Sequence, residues 1–252
     1  MNFKARFFGA GLHLGISVVI AALAWLVISR FFYPYPFIEI SGGRQLFLLI
    51  VVVDVVLGPL LTFAVLSPGK VRQVLRRDLM AIGAVQMAAL MYGLGIMYAS
   101  RPIYLVHEVD RFKVVSAADI DEADLAEAAP EFRRLPFMGV ETIGLREARN
   151  SAEKLSSLDL EIAGKDLAMQ PGWWQPLSSD NRTSMRQRGK SMALLRQRAT
   201  DGGAGLDRIL SASGVRDEDA IALPLVTRTV SWSVLLDKRD LKILGYLPID
   251  LF

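Results

Sequence analysis

Three apolar stretches fill most of the first hundred residues, and they constrain the fold more than any other feature of the chain. Residues 7–29 contain no charged side chain apart from a possible charge on His13, and residues 79–100 contain none. Residues 45–67 contain a single charged residue, Asp54. A stretch of about 20 apolar residues is long enough to cross a bilayer as a helix. The sequence therefore predicts an α-helical bundle of three transmembrane helices within residues 1–100.

The first stretch is predicted to be retained as a helix rather than removed as a signal peptide. Its apolar part exceeds the roughly 7–15 residues of a signal peptide, and it ends in "SRFFYPYP", which lacks a small-residue cleavage pattern. Pro34 and Pro36 are expected to stop the helix. The predicted aromatic belt at the membrane surface consists of Phe31, Phe32, Tyr33 and Tyr35.

Lysine and arginine in the short loops set the expected orientation, because cytoplasmic loops are enriched in both residues. The N-terminus and the second loop together carry six basic residues, namely Lys4, Arg6, Lys70, Arg72, Arg76 and Arg77. The first loop carries only Arg30 and Arg44. The N-terminus and the second loop are therefore predicted to be cytoplasmic, and residues 101–252 to lie on the outer side of the membrane.

The outer part, residues 101–252, has the length of one compact domain of about 150 residues. It carries 21 lysines and arginines against 23 aspartates and glutamates. The sequence pI of 9.2 thus comes from the membrane loops and does not indicate nucleic-acid binding. The chain has no cysteine, which excludes thiol catalysis and cysteine metal sites.

The outer domain is predicted to be α+β, with an antiparallel hairpin at each end. One hairpin comprises strands at 103–109 and 112–116, and the other surrounds "DKRD" at 237–240. A half-buried strand is predicted where Thr229, Ser231 and Ser233 alternate with Val230, Trp232 and Val234. Helices are predicted at 118–129, 141–164 and 180–199, and "QPGWWQP" at 170–176 is predicted to be a loop.

The sequence offers no catalytic constellation, so we expect a protein that is not an enzyme and that uses no cofactor or metal. His13 lies in the first apolar stretch, where a neutral imidazole is expected to hydrogen-bond a neighbouring helix. His107 lies on a predicted strand and is expected to be a surface or core residue rather than a base. No nucleophile, zinc-protease, P-loop or dinucleotide-binding motif occurs in a suitable context. "NRT" at Asn181 matches a glycosylation pattern that is common by chance.

Two features of the outer domain are candidates for partner contact. Trp173 and Trp174 either lie on a partner or the membrane surface, or pack in the domain core. The basic helix that contains Arg182 and Arg186 either touches anionic lipid headgroups or an acidic partner, or is a solvated helix face. The solvated face is the favoured interpretation.

Asp54 is the least expected residue of the chain, since a charged carboxylate near a bilayer centre costs roughly 2.5–3.5 kcal/mol. Pro59 cannot donate its amide to the carbonyl of Val55, so a kink is predicted close to the acid. Asp54 is expected either to hydrogen-bond Gln86 or His13 within the bundle, or to meet a polar group on a partner helix. The predicted membrane helix-contact residues are Asp54, Gly58, Pro59 and Gln86, and the glycines expected to allow close helix approach are Gly83, Gly93 and Gly95.

Four segments carry a resemblance to a known family. "GGRQLFLLIVVVDVVLGPLLTFAV", "SPGK", "RPIYLVHEVDRFKVVSAADI" and "ILGYLPID" resemble the type IV pilin accessory proteins of the TfpX/TfpZ family. The match covers the three apolar stretches and the first outer hairpin, and it is thinner from 121 to 223. No catalytic residues are carried over from the family.

The resemblance implies a bacterial inner-membrane protein with a periplasmic C-terminal domain, acting as an assembly factor or chaperone on a cognate major pilin. Its partners would be that pilin and inner-membrane lipids, with no nucleic acid. A pilin awaiting assembly has one membrane helix, with a glutamate in its apolar part, and an outer globular domain. The alternative is a non-catalytic subunit of a membrane sensor or transport complex, which would need an outer pocket with convergent polar groups.

Overall fold

The structure is a computed structural model that describes residues 3–66, 70–162, 164–227 and 231–252. The chain divides into two compact units, Met1–Arg101 and Pro102–Phe252. Three positions used in the sequence predictions fall outside the described residues: the "SPG" part of the second loop at 67–69, Thr229 and Val230.

The N-terminal unit consists of helices. Its elements are α1 (Phe3–Val27), a π-helical segment (Ile28–Phe32), α2 (Phe37–Ile40), α3 (Gly43–Val52), a second π-helical segment (Val53–Leu57), α4 (Gly58–Val65) and α5 (Arg72–Ala99). Among the described residues, three continuous helices are long and apolar enough to cross a membrane by length and composition, Phe3–Phe32, Gly43–Val65 and Arg72–Ala99. We refer to these as spans 1, 2 and 3.

The aromatic segment after span 1 differs from the predicted belt. Phe31 and Tyr35 are exposed, but Tyr33 is only 1% exposed. The Tyr33 hydroxyl donates to the carbonyl of Met97 at 2.9 Å. A side chain at Gly43 would overlap the Tyr33 ring, at 2.7 Å from its Cδ1. The belt prediction is therefore wrong for Tyr33, because Gly43 leaves a space in which the ring packs as part of the helical core.

The C-terminal unit is a mixed α/β domain built on a seven-stranded sheet. The strands are β1 (Pro102–Glu108), β2 (Arg111–Ser116), β3 (Glu141–Leu145), β4 (Trp174–Gln175), β5 (Ala220–Val226), β6 (Trp232–Asp237) and β7 (Ile243–Leu247), in the order β4-β3-β1-β2-β5-β6-β7. The predicted hairpins are confirmed as the antiparallel pairs β1–β2 and β6–β7. The β1–β3 and β2–β5 pairs are parallel, so the sheet is mixed.

Among its described residues this unit also has four α-helices: α6 (Ser151–Ile162), α7 (Ser179–Arg188), α8 (Met192–Arg198) and α9 (Ala204–Ser213). One apolar cluster packs Tyr104 and Val106 of β1 with Trp174. A second cluster packs α8 and α9 with β5 and β6, through residues such as Leu195 and Leu235.

The predicted helix at 118–129 is wrong in type, because the chain forms a 3₁₀-helix at Glu122–Glu127. The Asp121 carboxylate accepts from the N–H of Ala123. Such local side-chain bonds compete with α-helical hydrogen bonding.

The predicted helix at 141–164 is wrong in its first third, where the chain forms β3. Thr142 and Ile143 are β-branched and pair in parallel with β1. The helix α6 begins only at Ser151, where the Asn150 side chain accepts from the N–H of Glu153 at 2.8 Å.

The predicted helix at 180–199 is broken in two. Lys190 forms an isolated antiparallel bridge with Ala222, and its N–H donates to the Ala222 carbonyl at 2.7 Å. A side chain at Gly189 would lie 2.8 Å from Cβ of Ile221. The glycine therefore allows the chain to approach β5, and the sheet contact replaces a helical turn.

Two further predictions fail in the C-terminal unit. The "QPGWWQP" segment is not a plain loop, because it contains a 3₁₀ turn at Pro171–Trp173 followed by β4. Ser233 is fully buried rather than on a solvated face, and its hydroxyl donates to the carbonyl of Ile249 at 2.6 Å. The C-terminal chain thus covers the face of β6 that the alternating pattern assigned to solvent.

Candidate functional site

Span 2 departs from α-helical geometry at its acid. Asp54 lies in the π-helical segment Val53–Leu57, and Gly58 and Pro59 begin α4 directly after it. In a π-helix the carbonyl of residue i accepts from the N–H of residue i+5. Five residues after Asp54 is Pro59, which has no N–H to donate. The carbonyl of Asp54 is therefore left without its helical donor.

Gln86 of span 3 supplies the missing donor. Its amide Nε2 donates to the backbone carbonyl of Asp54 at 3.2 Å. A side chain at Gly58 would overlap this amide, at 2.8 Å from its Cδ. Three residues thus act together on the Asp54 carbonyl. Pro59 leaves it without a helical donor, Gly58 leaves space for the Gln86 amide, and Gln86 donates to it from span 3.

Replacing Gly58 by alanine is expected to destabilise the helical unit by about 1–3 kcal/mol, the usual cost of an overlap in a packed core. The added methyl group would displace the Gln86 amide and leave the Asp54 carbonyl unbonded. Thermal unfolding of the purified protein in detergent measures the effect. Gly83→Ala is the matched control, because a methyl group there meets nothing within 4 Å. Equal melting temperatures for the two variants would contradict the assigned role of Gly58.

The carboxyl group of Asp54 does not form either of the expected internal bonds. Gln86 bonds the backbone of Asp54 rather than its side chain, and the His13 ring pairs instead with the Thr62 hydroxyl at 2.6 Å. Oδ1 of Asp54 is shielded from solvent and has no hydrogen-bond partner among the described residues. The structure therefore bears out the expected helix contact of His13 and leaves the Asp54 carboxyl unpartnered.

A groove of about 200 Å³ opens beside this carboxyl group, and we call it the Asp54 groove. It is lined by His13, Ile16, Ser17, Ile20, Ala21, Ala24, Phe47, Val51, Asp54, Gly83, Gln86, Met87 and Leu90. Small residues on spans 1 and 3 line part of it, which is the composition that allows helices to approach closely in membranes. Of the glycines predicted to allow close approach, Gly93 packs against Ile50, whereas Gly83 and Gly95 have open space.

The two tryptophans of the outer candidates belong to the domain core. Trp174 is 2% exposed, and its indole N–H donates to the Ala168 carbonyl at 2.9 Å. Trp173 is 9% exposed, and the Arg146 guanidinium lies 4.5 Å from its ring centroid. Both indoles are buried in the domain, as the core-packing alternative expects, and Trp173 also lines a cleft that is described below.

The two arginines of the outer candidates hold the β6–β7 turn. Arg186 donates to the carbonyls of Lys238 at 3.0 Å and Arg239 at 2.8 Å. Arg182 donates to the carbonyl of Asp240 at 3.3 Å. Both side chains remain exposed, but these bonds explain their presence on α7 without a partner.

Asn181 is also occupied within the domain. Its Oδ1 accepts from the Ser178 backbone and hydroxyl and from Gln175, and its Nδ2 donates to the Leu145 carbonyl. Glycosylation would remove these bonds, so the "NRT" pattern has a structural explanation as the capping box of α7.

A second cavity, which sequence reasoning missed, lies at one end of the sheet of the C-terminal unit. It has a volume of about 1070 Å³ and includes His107, the β1–β2 turn, the end of β3 and one side of α7. We call it the His107 cleft. Only the polar run "HEVDR" at 107–111 hinted at it, since the other lining residues come from distant parts of the chain.

His107 lies at the cleft with no exposed surface. Neither ring nitrogen has a hydrogen-bond partner among the described residues, and the ring packs edge-on against Phe112, with centroids 5.4 Å apart. Burial lowers the pKa of His107 from its ordinary value of 6.5 to about 4, against a smaller opposing effect of Asp110. The imidazole is therefore neutral near pH 7.

Comparison with known proteins places this chain among pilus assembly factors. The family model described as "Fimbrial assembly protein FimB" matches residues 1–42. The serogroup I fimbrial assembly protein of Dichelobacter nodosus is 34% identical over 258 residues, which cover 100% of this chain and 99% of the relative. This chain belongs to the fimbrial assembly protein family. The resemblance to type IV pilus accessory proteins is confirmed.

Two further fimbrial assembly proteins of the same organism are similar to this one. The serogroup E1 protein is 33% identical over 260 residues, covering 100% of this chain and 99% of the relative. The protein of serogroups C1 and C2 is 36% identical over 131 residues, covering 51% of this chain and 100% of the relative. No solved structure matches the chain.

Proposed function

We propose that this fimbrial assembly protein acts on the major pilin of its type IV pilus, as a chaperone-like factor of the bacterial inner membrane. Family membership supports the role in assembly. The three apolar helices support a place in the membrane. Its role is to hold and present the subunit rather than to catalyse a reaction.

The observation that carries this proposal is the unpartnered Asp54 carboxyl group in a helix long enough to span a bilayer. A polar group in hydrocarbon is costly unless it is bonded. Another membrane helix can bring a hydrogen-bonding side chain to it without exposing its own backbone to lipid. The resemblance implies that a pilin has one membrane helix with a glutamate in its apolar part. We therefore assign the Asp54 groove as the docking site of that helix.

Within this site the four residues have different roles. The Asp54 carboxyl group contacts the pilin helix, while Gln86 holds the Asp54 backbone through its carbonyl. Gly58 and Pro59 shape the helix so that this bond can form. The last three therefore position Asp54 and need not touch the pilin.

The proposed topology divides the chain into a membrane domain, residues 1–100, and a periplasmic domain, residues 101–252. Six basic residues on the N-terminal and second-loop side, against two in the first loop, support a cytoplasmic N-terminus. Reporter fusions after Lys70 are expected to be active in the cytoplasm, and fusions after Ser100 in the periplasm. A cytoplasmic reporter signal after Ser100 would overturn this orientation.

The alternative function, a sensor or transport subunit that binds a small ligand, gains some support from the His107 cleft. However, several charged groups around it are already paired. Arg111 bonds Asp110 at 2.8 Å, and Arg146 bonds Glu153 at 2.6 Å. These arginines are not converging on a shared point, which disfavours a compact charged ligand.

Deletion of the gene tests the proposed function. Loss of the protein is expected to reduce surface pili made from the cognate pilin, or to make that pilin unstable, while an unrelated pilin system in the same cell is unaffected. Immunoblots of sheared pili and of total pilin measure both effects, and re-expression of the wild-type gene is the control. Normal piliation in the deletion strain would refute the proposal.

A further inference from the structure

The His107 cleft lies where two parallel strands end together. β1 ends at Glu108 and its parallel neighbour β3 ends at Leu145, and both residues line the cleft. The carboxyl ends of neighbouring parallel strands commonly form a ligand crevice in α/β sheets. The cleft volume, about 1070 Å³, is at the upper end of the usual range for binding pockets.

The floor of the cleft includes an unsatisfied polar group. His107 is completely buried, and both of its ring nitrogens lack partners among the described residues. Buried polar side chains are normally hydrogen-bonded, so such an exception calls for an explanation. A neutral imidazole has one N–H donor and one acceptor nitrogen. Because the ring has no exposed surface, a ligand can pair with it only when the neighbouring side chains shift on binding, and a polypeptide main chain then offers the complementary pair, a C=O and an N–H.

The charges around the cleft favour a ligand with charges of both signs. Arg188 at the end of α7, Lys165 and Glu147 line the cleft and form no salt bridge among the described residues, although the Arg188 charge acts on the nearby Asp110. Asp180, at the start of α7, is bonded only weakly, by the Ser179 hydroxyl at 3.5 Å. A polyanion would be attracted by Arg188 and Lys165 and repelled by Glu147 and Asp180, and a polycation would meet the reverse.

The spacing of two charged residues along α7 fits an extended polypeptide chain. Asp180 and Arg188 are eight residues apart on α7, which places them about 12 Å apart along the helix axis. An extended polypeptide rises about 3.3 Å per residue, so about four residues would separate a basic side chain near Asp180 from an acidic one near Arg188.

Two other binding modes fit the cleft less well. A sugar would need an exposed aromatic face, but Trp173 is covered by the Arg146 guanidinium. Strand addition at the sheet edge would need a long edge strand, but β4 has two residues. The remaining binding mode is recognition of the ligand by side chains along α7.

We propose that the His107 cleft binds an extended polypeptide segment of the pilus subunit, with an acidic residue at the Arg188 end and a basic residue at the Asp180 end. This inference rests on the proposed function, because that function identifies the subunit as the partner. It adds a second contact, made by the C-terminal unit, to the contact at the Asp54 groove.

Binding of overlapping synthetic peptides from the outer domain of the cognate pilin tests this inference. The full-length protein in detergent is titrated against each labelled peptide by fluorescence anisotropy. We expect a small set of neighbouring peptides to bind, and Arg188→Glu to weaken their binding about tenfold or more, as for a lost charge-assisted contact. Replacing the acidic residue of a binding peptide by lysine should restore part of its affinity for Arg188→Glu.

Two variants separate recognition from folding. His107→Leu is expected to weaken peptide binding although it removes an unsatisfied buried group and does not reduce stability. Arg208→Glu reverses an exposed charge on α9, outside the cleft, and should leave binding unchanged. Binding that is unaffected by Arg188→Glu and His107→Leu, absence of binding by every peptide, or equal binding of polyglutamate would each overturn the inference.

The peptide result and the deletion result can fail separately. If deletion reduces pili and no peptide binds, the assembly role stands and the cleft assignment falls. If peptides bind at the cleft and deletion leaves piliation normal, the cleft assignment stands as a peptide site and the assembly role falls.

Discussion

Replacing Asp54 by leucine is expected to abolish assembly of the cognate pilus while the protein still accumulates in the membrane. Leucine removes the hydrogen-bonding group that the Asp54 groove presents, and it should insert into the bilayer more easily by a few kcal/mol. Since the backbone carbonyl of Asp54 still accepts from Gln86, the helical unit should keep its fold. Pilus yield at matched protein levels is the measurement.

Asp54→Asn is the matched variant for this prediction. Asparagine keeps the shape and the hydrogen-bonding capacity of the side chain but cannot ionise. We expect it to retain much of the pilus assembly, because Asp54 forms no salt bridge among the described residues and the groove is lined mainly by apolar and small side chains. Full assembly by Asp54→Leu would show that the acid is incidental, whereas loss with both variants would show that charge is required.

Acid is expected to destabilise the C-terminal unit through His107, by about 3 kcal/mol between pH 6.5 and pH 4. The pKa of His107 falls from 6.5 to about 4 on burial. Between these values the unfolded chain binds more protons than the folded one, so the free energy of unfolding decreases as the pH falls. The full contribution of neutral His107 to the free energy of unfolding is present above pH 6.5, and His107 causes no further loss below pH 4.

His107→Leu isolates this effect from other titrating groups. The variant should be at least as stable at pH 7, because an apolar side chain replaces two unsatisfied ring nitrogens. Its free energy of unfolding should also fall less steeply between pH 6.5 and pH 4. Carboxylates such as Glu153, whose pKa is lowered by its bonds with Arg146, also lose stabilisation as the pH falls toward 4, but they do so equally in both proteins, so the difference between the two slopes reports His107. Denaturant unfolding followed by tryptophan fluorescence measures both slopes, and parallel pH profiles for variant and wild type would contradict the role of His107.

The features that could be predicted from the sequence are those encoded locally. Span length follows from runs of apolar residues, and the β1–β2 hairpin follows from two β-rich runs around a short turn. The helix error at 141–164 arose because the first third is only a strand through pairing with β1, a partner about 40 residues away. The break at Gly189 likewise depends on contact with β5, which no local pattern shows.

The residues of the candidate site could be predicted from the sequence, but the hydrogen bonds between them could not. The sequence placed Asp54, Gly58, Pro59 and Gln86 together as helix-contact residues, which the structure brings into one neighbourhood. One of the two alternatives paired the Asp54 side chain with Gln86 or His13, whereas Gln86 bonds the backbone carbonyl that the π-helical geometry presents. The His107 cleft was missed because its walls come from segments spread over 80 residues of sequence, from 107 to 188.

Docking of a pilin helix in the Asp54 groove can be tested by photo-crosslinking in the membrane. A photoreactive residue at Met87, which is 52% exposed, lies on the groove, whereas one at Val85, which is 67% exposed, lies on the same helix but outside the groove. We expect a crosslink to the major pilin from position 87 that is much stronger than the one from position 85 and that Asp54→Leu reduces. Equal crosslinking from both positions, or no pilin crosslink from position 87, would contradict it.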